Sequence, residues 1–201
     1  RDGVDGWGNT NWYDKVYGTG TRTHHNISAT GGSDRVRFFA SIGYLDEKGN
    51  IDNYGYNRLN LRSNIDAKLT KSLTFTLGVS GRIEKRDSPR YSADPNAWHN
   101  VPQQIIRALP YVPDTYEYEG KTYNVSTPTA SSPVAPVASI NESGYSKSNY
   151  SYIQSNFSLK YDAPWLKGLS FKFQGAYDLT YNFSKILSNP YEVFRLLKAP
   201  H

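Results

Sequence analysis

The chain has 201 residues, 23 of them Lys or Arg and 18 Asp or Glu, for a net charge of +5. The basic residues are scattered rather than gathered into a stripe, which argues against a nucleic-acid-binding surface, and the absence of cysteine removes disulfide scaffolds, zinc–thiolate sites and thiol nucleophiles together. Mean hydropathy is −0.66 and no apolar run approaches the ~20 residues of a membrane helix, but a β-barrel stays open, because its strands hide their apolar half by alternation. The 17 tyrosines are many for so hydrophilic a chain. With no methionine and no apolar leader behind Arg1-Asp2-Gly3, the sequence reads as an internal or processed piece of a longer protein.

Residues 1–21 are polar and Gly-rich, with Trp7, Trp12, Tyr13 and Tyr17 embedded. Residues 22–86 carry a period of two and read as four strands. The clearest is 58–69. Arg58, Asn60, Arg62, Asn64, Asp66 and Lys68 take one face, and Leu59, Leu61, Ser63, Ile65, Ala67 and Leu69 the other. A helix would spread those charges around its circumference. In 73–84, Leu73, Phe75, Leu77, Val79 and Ile83 alternate with Thr74, Thr76, Ser80, Arg82 and Glu84; 35–45 does the same, and 23–30 more loosely.

Residues 87–147 lose the period and gather Pro, Ser and Thr. They read as one long external loop, with a short helix over Val101 to Leu109 stopped by Pro110. Residues 148–183 return to a period of two and read as two further strands, 150–161 and 169–183. Residues 184–201 read as the start of the next loop or strand.

The connections are asymmetric. Gly31-Gly32-Ser33-Asp34, Thr70-Lys71-Ser72 and Ala163-Pro164-Trp165-Leu166-Lys167 make tight turns at one end. Asp46 to Asn53 and the long 87–147 segment make the connections at the other. A soluble sandwich and a membrane barrel both alternate, so period alone does not separate them. Strands long enough to cross the hydrocarbon, with short turns at one end and long loops at the other, favour the barrel. Tyr44, Tyr54, Tyr56, Tyr150, Tyr152, Tyr181 and Phe183 would form an aromatic girdle at the long-loop end, and Tyr161 and Trp165 the opposite rim. The fold class is therefore all-β, with about six antiparallel up-and-down strands forming part of a large transmembrane barrel. Six strands do not close the usual barrel, and an open edge in lipid leaves unpaired backbone groups.

A set of short motifs carries a resemblance. Asn11-Trp12-Tyr13-Asp14-Lys15-Val16-Tyr17 precedes His25-Asn26-Ile27-Ser28-Ala29-Thr30-Gly31-Gly32-Ser33. Phe38-Phe39-Ala40-Ser41-Ile42-Gly43-Tyr44-Leu45-Asp46, Tyr56-Asn57-Arg58 and Leu61-Arg62-Ser63-Asn64-Ile65-Asp66 follow, then Pro133-Val134-Ala135 and Leu166-Lys167-Gly168-Leu169. In order and spacing this is similar to the barrel region of SusC/RagA-type TonB-dependent outer-membrane transporters, over about 11–86 and 128–180. The resemblance implies a plugged barrel of the ~22-strand class in the bacterial outer membrane. It also implies import of oligosaccharide or peptide substrates, a SusD-like surface lipoprotein as lid, and energy from TonB through an N-terminal plug outside these residues. A secreted or surface β-sandwich carbohydrate-binding module is the alternative.

No catalytic set emerges, and neither a metal site nor a cofactor is expected. His24 and His25 are adjacent, so they point to opposite faces of a strand. Asp46 to Asp52 lacks the glycine and carboxylate positions of a calcium loop. The candidates are therefore contact residues. Arg58, Arg62, Asp66, Arg82 and Glu84 are expected to face a wet lumen. Trp98, Arg107, Tyr111, Tyr116, Tyr118 and Tyr123 form the loop set expected to touch substrate or lid, because aromatic faces stack on sugar rings and long loops commonly bind.

Overall fold

The structure is a computed structural model, and it describes residues 8–90, 100–127 and 134–196. Among these residues eight strands form in chain order: β1 (Thr21–Gly32), β2 (Val36–Lys48), β3 (Gly55–Lys68), β4 (Leu73–Pro89), β5 (Thr115–Tyr118), β6 (Lys121–Asn124), β7 (Gly144–Asp162) and β8 (Ser170–Ser188). Six of them make one antiparallel sheet in the order β1-β2-β3-β4-β7-β8, and β5 and β6 pair separately. The wall is thus an up-and-down meander. The long 90–143 connection leaves at the end of β4 and returns to β4's own neighbour.

Register fixes the faces. Leu59 stands opposite Ile83, Ile65 opposite Leu77 and Ala67 opposite Phe75, while Arg58 stands opposite Glu84 and Asn60 opposite Arg82. Directly opposed residues share a face. Leu59, Leu61, Ile65, Leu69, Phe75, Leu77 and Val79 therefore lie together, away from Arg58, Arg62, Asp66, Arg82 and Glu84. The apolar face continues through Phe157 and Leu159 on β7 and Phe171, Phe173 and Leu179 on β8. None of it is buried: Leu61 is 45% exposed, Phe173 65% and Leu179 48%. No second sheet among the described residues covers it, as a sandwich would require. Leu73 to Ile83 spans ten residue steps, roughly 34 Å along a strand. At a tilt of ~35–45° this crosses roughly 25 Å, the height of a membrane barrel's apolar band.

The three short turns are held by local chemistry. Ser33 Oγ accepts from the backbone N–H groups of Arg35 and Val36 at 3.3 Å each. Thr70 Oγ1 accepts from Ser72 N–H at 3.2 Å. Gly168 supplies the φ of 93° that turns the chain into β8.

Most of the buried core lies off the wall, in a cap at the long-loop end. Helix α1 (Trp12–Val16) is capped by the Asn11 side chain. Helix α2 (Val101–Arg107) is capped by Asn100, and α3 (Pro136–Glu142) begins with proline at its first turn. Val16, Ile51, Val101 and Ile140 form one buried cluster, and Trp12, Ala108 and Val134 a second. Each valine or isoleucine among them, fully buried, contributes about 1.5–3 kcal/mol. The polar segment ahead of β1, the β2–β3 loop and both halves of the long connection are thereby held in one unit.

Three features differ from the sequence-based expectation. The wall strands run past the expected limits: β2 reaches Lys48, β4 reaches Pro89 and β7 starts at Gly144. The ladder persists there because Asp87 still pairs with Lys147 and Pro89 with Tyr145. The helix ends at Arg107, before Leu109. The aromatic girdle is smaller than expected. Tyr44, Tyr181 and Phe183 share the apolar face, but Tyr56, Tyr150 and Tyr152 lie opposite Arg86, Glu84 and Arg82, on the polar one. Tyr54 leaves the wall altogether and packs against the Val16–Val101 cluster.

Candidate ligand- and partner-facing site

On the polar face, charge gathers at the capped end. Glu84 is 6% exposed. Its carboxylate accepts from Arg82 Nε at 3.0 Å and from Arg86 at 3.2 Å, two residues either side on the same strand. Burial makes a carboxylate costly unless it is paired, so two guanidiniums on one acid stabilise the arrangement. Each arginine also lies over a tyrosine ring, Arg82 at 6.0 Å from Tyr152 and Arg86 at 5.4 Å from Tyr56. The inward tyrosines thus flank the guanidiniums as cation–π partners. Arg58 stands opposite Glu84 in register, yet its Nε is buried with no hydrogen bond. Arg62 and Asp66 lie further toward the short turns, with Asn64 between them opposite Gly78. A small polar concavity of ≈ 430 Å³ opens here, lined by Arg62, Asn64, Gln154, Asn156 and Asp178 among others.

The loop candidates divide. Arg107 ends α2, and Tyr111 follows the helix at 46% exposed. Tyr116 and Tyr118 are on β5, with Tyr116 directly opposite Tyr123 of β6. These three tyrosines share one face of the hairpin, whose turn carries Glu119 at φ 49° and Gly120 at φ 74°. Trp98 lies outside the described residues.

Two contributors were missed by sequence reasoning. The segment after β8 returns to the hairpin: Phe194 exchanges backbone hydrogen bonds of 2.8 Å with Asn124 and Ser126, and its ring meets Tyr123 edge-on at 5.0 Å. No periodicity announces a contact so distant in sequence. A concavity of ≈ 1070 Å³ lies between the β2–β3 loop, the end of α3 and the segment after β8. Asp52, Asn53, Asn141, Glu142 and Tyr191 are among its lining residues, and none of the loop tyrosines expected from sequence is.

The N-terminal segment braces this cap. Trp12 Nε1 donates to the Leu109 carbonyl at 2.9 Å, and Lys15 pairs with Asp114 at 2.9 Å. Gly8 and Thr10 donate backbone bonds to the Tyr111 and Pro110 carbonyls. The arrangement offers hydrogen-bonding and stacking groups on polar, open surfaces. Among the described residues it assembles no nucleophile, base and orienting group.

No family profile matches the chain. The chain is 32% identical over 84 residues to TonB-dependent receptor P3 of Formosa agariphila, covering 42% of this chain and 8% of that receptor. It is 30% identical over 60 residues to TonB-dependent receptor SusC of Bacteroides thetaiotaomicron, covering 30% of this chain and 6% of SusC. The matched stretches therefore cover less than a tenth of the length of these relatives. Its fold is similar to part of the RagAB peptide importer in the "closed-closed" state, with a TM-score of 0.65 at 22% identity over 88% of this chain and 19% of that one. The "open-open" state gives a TM-score of 0.63, covering 90% and 20%. With six long antiparallel strands, one apolar and one polar face, and a cap at one end, the chain is similar in fold to part of the RagAB barrel and, over its matched stretches, in sequence to SusC-type TonB-dependent receptors.

Proposed function

We propose that this chain forms part of the wall and external cap of a TonB-dependent outer-membrane importer of oligosaccharides or peptides. The observation that carries the reading is the uncovered apolar band from Leu73 to Ile83 and across β7 and β8, backed by a charged face. In this reading the band meets lipid and the Arg/Glu/Asn face lines the lumen. The cap stands on the external side, where a SusD-like lipoprotein closes over the captured substrate. TonB then acts through the plug of the parent protein, and plug movement opens the route inward. RagAB, named as a peptide importer, and SusC supply the analogy. The substrate class within it rests on the cap.

Within the cap, Tyr116, Tyr118 and Tyr123 present a row of rings for stacking on a sugar or peptide, or on the lid itself. Tyr111 and Arg107 stand at the end of α2, and Trp98 belongs to the same connection. The test uses the parent protein. It should fractionate with the outer membrane, migrate faster unheated than boiled, and co-purify with a SusD-like lipoprotein encoded beside it. A soluble parent protein with no heat-modifiable form would overturn the reading.

A further inference from the structure

Above the apolar band, toward the cap, the same outward face changes character within two rungs. Ile83 and Tyr181 end the band on one rung; the next rung carries Lys85 on β4 and Phe183 on β8, and the one after it Lys147 on β7 directly opposite Lys185 on β8. The two ammonium groups converge on one ring, Lys147 Nζ lying 5.1 Å and Lys185 Nζ 5.8 Å from the centre of Tyr145. All three lysines are exposed. None forms an ion pair among the described residues, although Asp87 stands opposite Lys147 in register. Bringing like charges together on an outward face costs free energy unless an anion joins them. No carboxylate lies anywhere in the band between these lysines and the short turns: β4 shows Leu73, Phe75, Leu77, Val79 and Ile83, and β8 shows Phe171, Phe173, Tyr177 and Leu179.

We infer that Lys85, Lys147 and Lys185, with the Tyr145 ring, form a binding site for the phosphate-bearing headgroup of an outer-leaflet glycolipid. The position decides the occupant. A cationic cluster within two rungs of the end of a band of membrane height sits at the headgroup level. Ammonium groups suit phosphate oxygens as point charges. The Tyr145 ring holds the two ammonium groups of Lys147 and Lys185 near one another. The proposal rests on the barrel reading above, because only that reading puts lipid against this face.

The experiment uses the full-length parent protein in detergent, delipidated and titrated with bisphosphorylated lipid A or with its dephosphorylated counterpart, binding being read by native mass spectrometry. Wild type should prefer the phosphorylated lipid. The triple variant K85Q/K147Q/K185Q should lose roughly 10–100-fold in apparent affinity for it. K147R/K185R should retain binding, and K71Q/K167Q, at the opposite rim, should match wild type. Heat-modifiable migration is measured on every variant. A parent protein that is no heat-modifiable barrel overturns both the site and the reading beneath it. An intact barrel whose triple variant binds as wild type does, or whose face cross-links to a second copy of the protein instead of taking up lipid, overturns the site alone. If the triple variant does not assemble, the single variants K147Q and K185Q decide, and equal binding by both and by wild type refutes the site.

Discussion

The indole Nε1 of Trp12 and the carbonyl of Leu109, 97 residues apart in sequence, are joined by a hydrogen bond of 2.9 Å. The bond ties the segment ahead of the first wall strand to the loop between the fourth strand and the next. Trp12 is 4% exposed and packs in the cluster with Ala108 and Val134. Trp12→Phe should remove the donor and leave most of the packing, at about 1–2 kcal/mol. Trp12→Ala should cost about 3–5 kcal/mol of cap stability. Limited proteolysis of the parent protein in detergent reads this directly: cleavage within 100–127 should quicken in the order wild type, Phe, Ala, while heat-modifiable migration of the barrel stays intact. Equal protection in all three would mean the cap is held by other contacts.

The pairing of Glu84 with Arg82 and Arg86 gives a second prediction. Glu84 is buried, whereas the arginine side chains are 44% and 68% exposed, so solvent screens part of the interaction. Glu84→Ala leaves two guanidiniums without their shared acceptor, beside an Arg58 Nε that already lacks one. A loss of about 1–3 kcal/mol in detergent unfolding of the parent protein is expected. Glu84→Gln, which keeps the shape and one acceptor, should lose less. If Ala and Gln destabilise equally, the negative charge itself is what matters and shape contributes nothing.

The wall could be read from the sequence because a strand with one apolar and one polar face must alternate, and β3 and β4 do so without a break in charge. Its upper ends could not. From Lys85 to Ser88 both faces are polar, so alternation carries no information there, although the backbone ladder continues to Pro89. The misplaced tyrosines show the limit of the same signal. Serines at 151 and 155 occupy outward positions of β7, which blurs the period and leaves the face of Tyr150 and Tyr152 undetermined. Tyr56, two residues before Arg58, had a parity that pointed to the polar face. The hairpin had an unused signal: Tyr116-Glu117-Tyr118-Glu119-Gly120-Lys121-Thr122-Tyr123 alternates around a Gly-bearing turn. The cap clusters join residues as distant as Val16 and Ile140, and no local pattern contains that.

The hairpin yields the third prediction. Gly120 has φ 74° with open space around the position of a side chain, so its constraint is conformational and not steric crowding. Gly120→Val should disorder the turn and scatter Tyr116, Tyr118 and Tyr123. Tyr116→Ala with Tyr118→Ala should remove two rings from a preserved turn. Both variants should weaken binding of the lid lipoprotein or of substrate several-fold, at about 0.5–1.5 kcal/mol per ring, as read by surface plasmon resonance on the parent protein. Unchanged binding of both ligands by the double variant would remove the hairpin from the contact surface.

Asn64 and Ile65 provide the sharpest separation of the two faces. They are consecutive in β3. Asn64 lies between Phe39 and Gly78, whereas Ile65 lies between Phe38 and Leu77. Ile65 is near the middle of the apolar band, so an arginine there meets lipid with no water to solvate it. Ile65→Arg should cost roughly 2–4 kcal/mol. Asn64→Arg adds the same charge on the face that carries Arg62 and Asp66, at the polar concavity that Asn64 lines. It should cost much less, and it should alter plug contacts or substrate passage instead. The measurement is bilayer or detergent unfolding of both variants of the parent protein, beside growth on the imported nutrient. Equal destabilisation would mean that neither face is wet, and the membrane-barrel assignment would fail. A larger loss from Asn64→Arg would mean that the lipid and lumen faces are inverted, because the guanidinium tolerates only the side on which water reaches it.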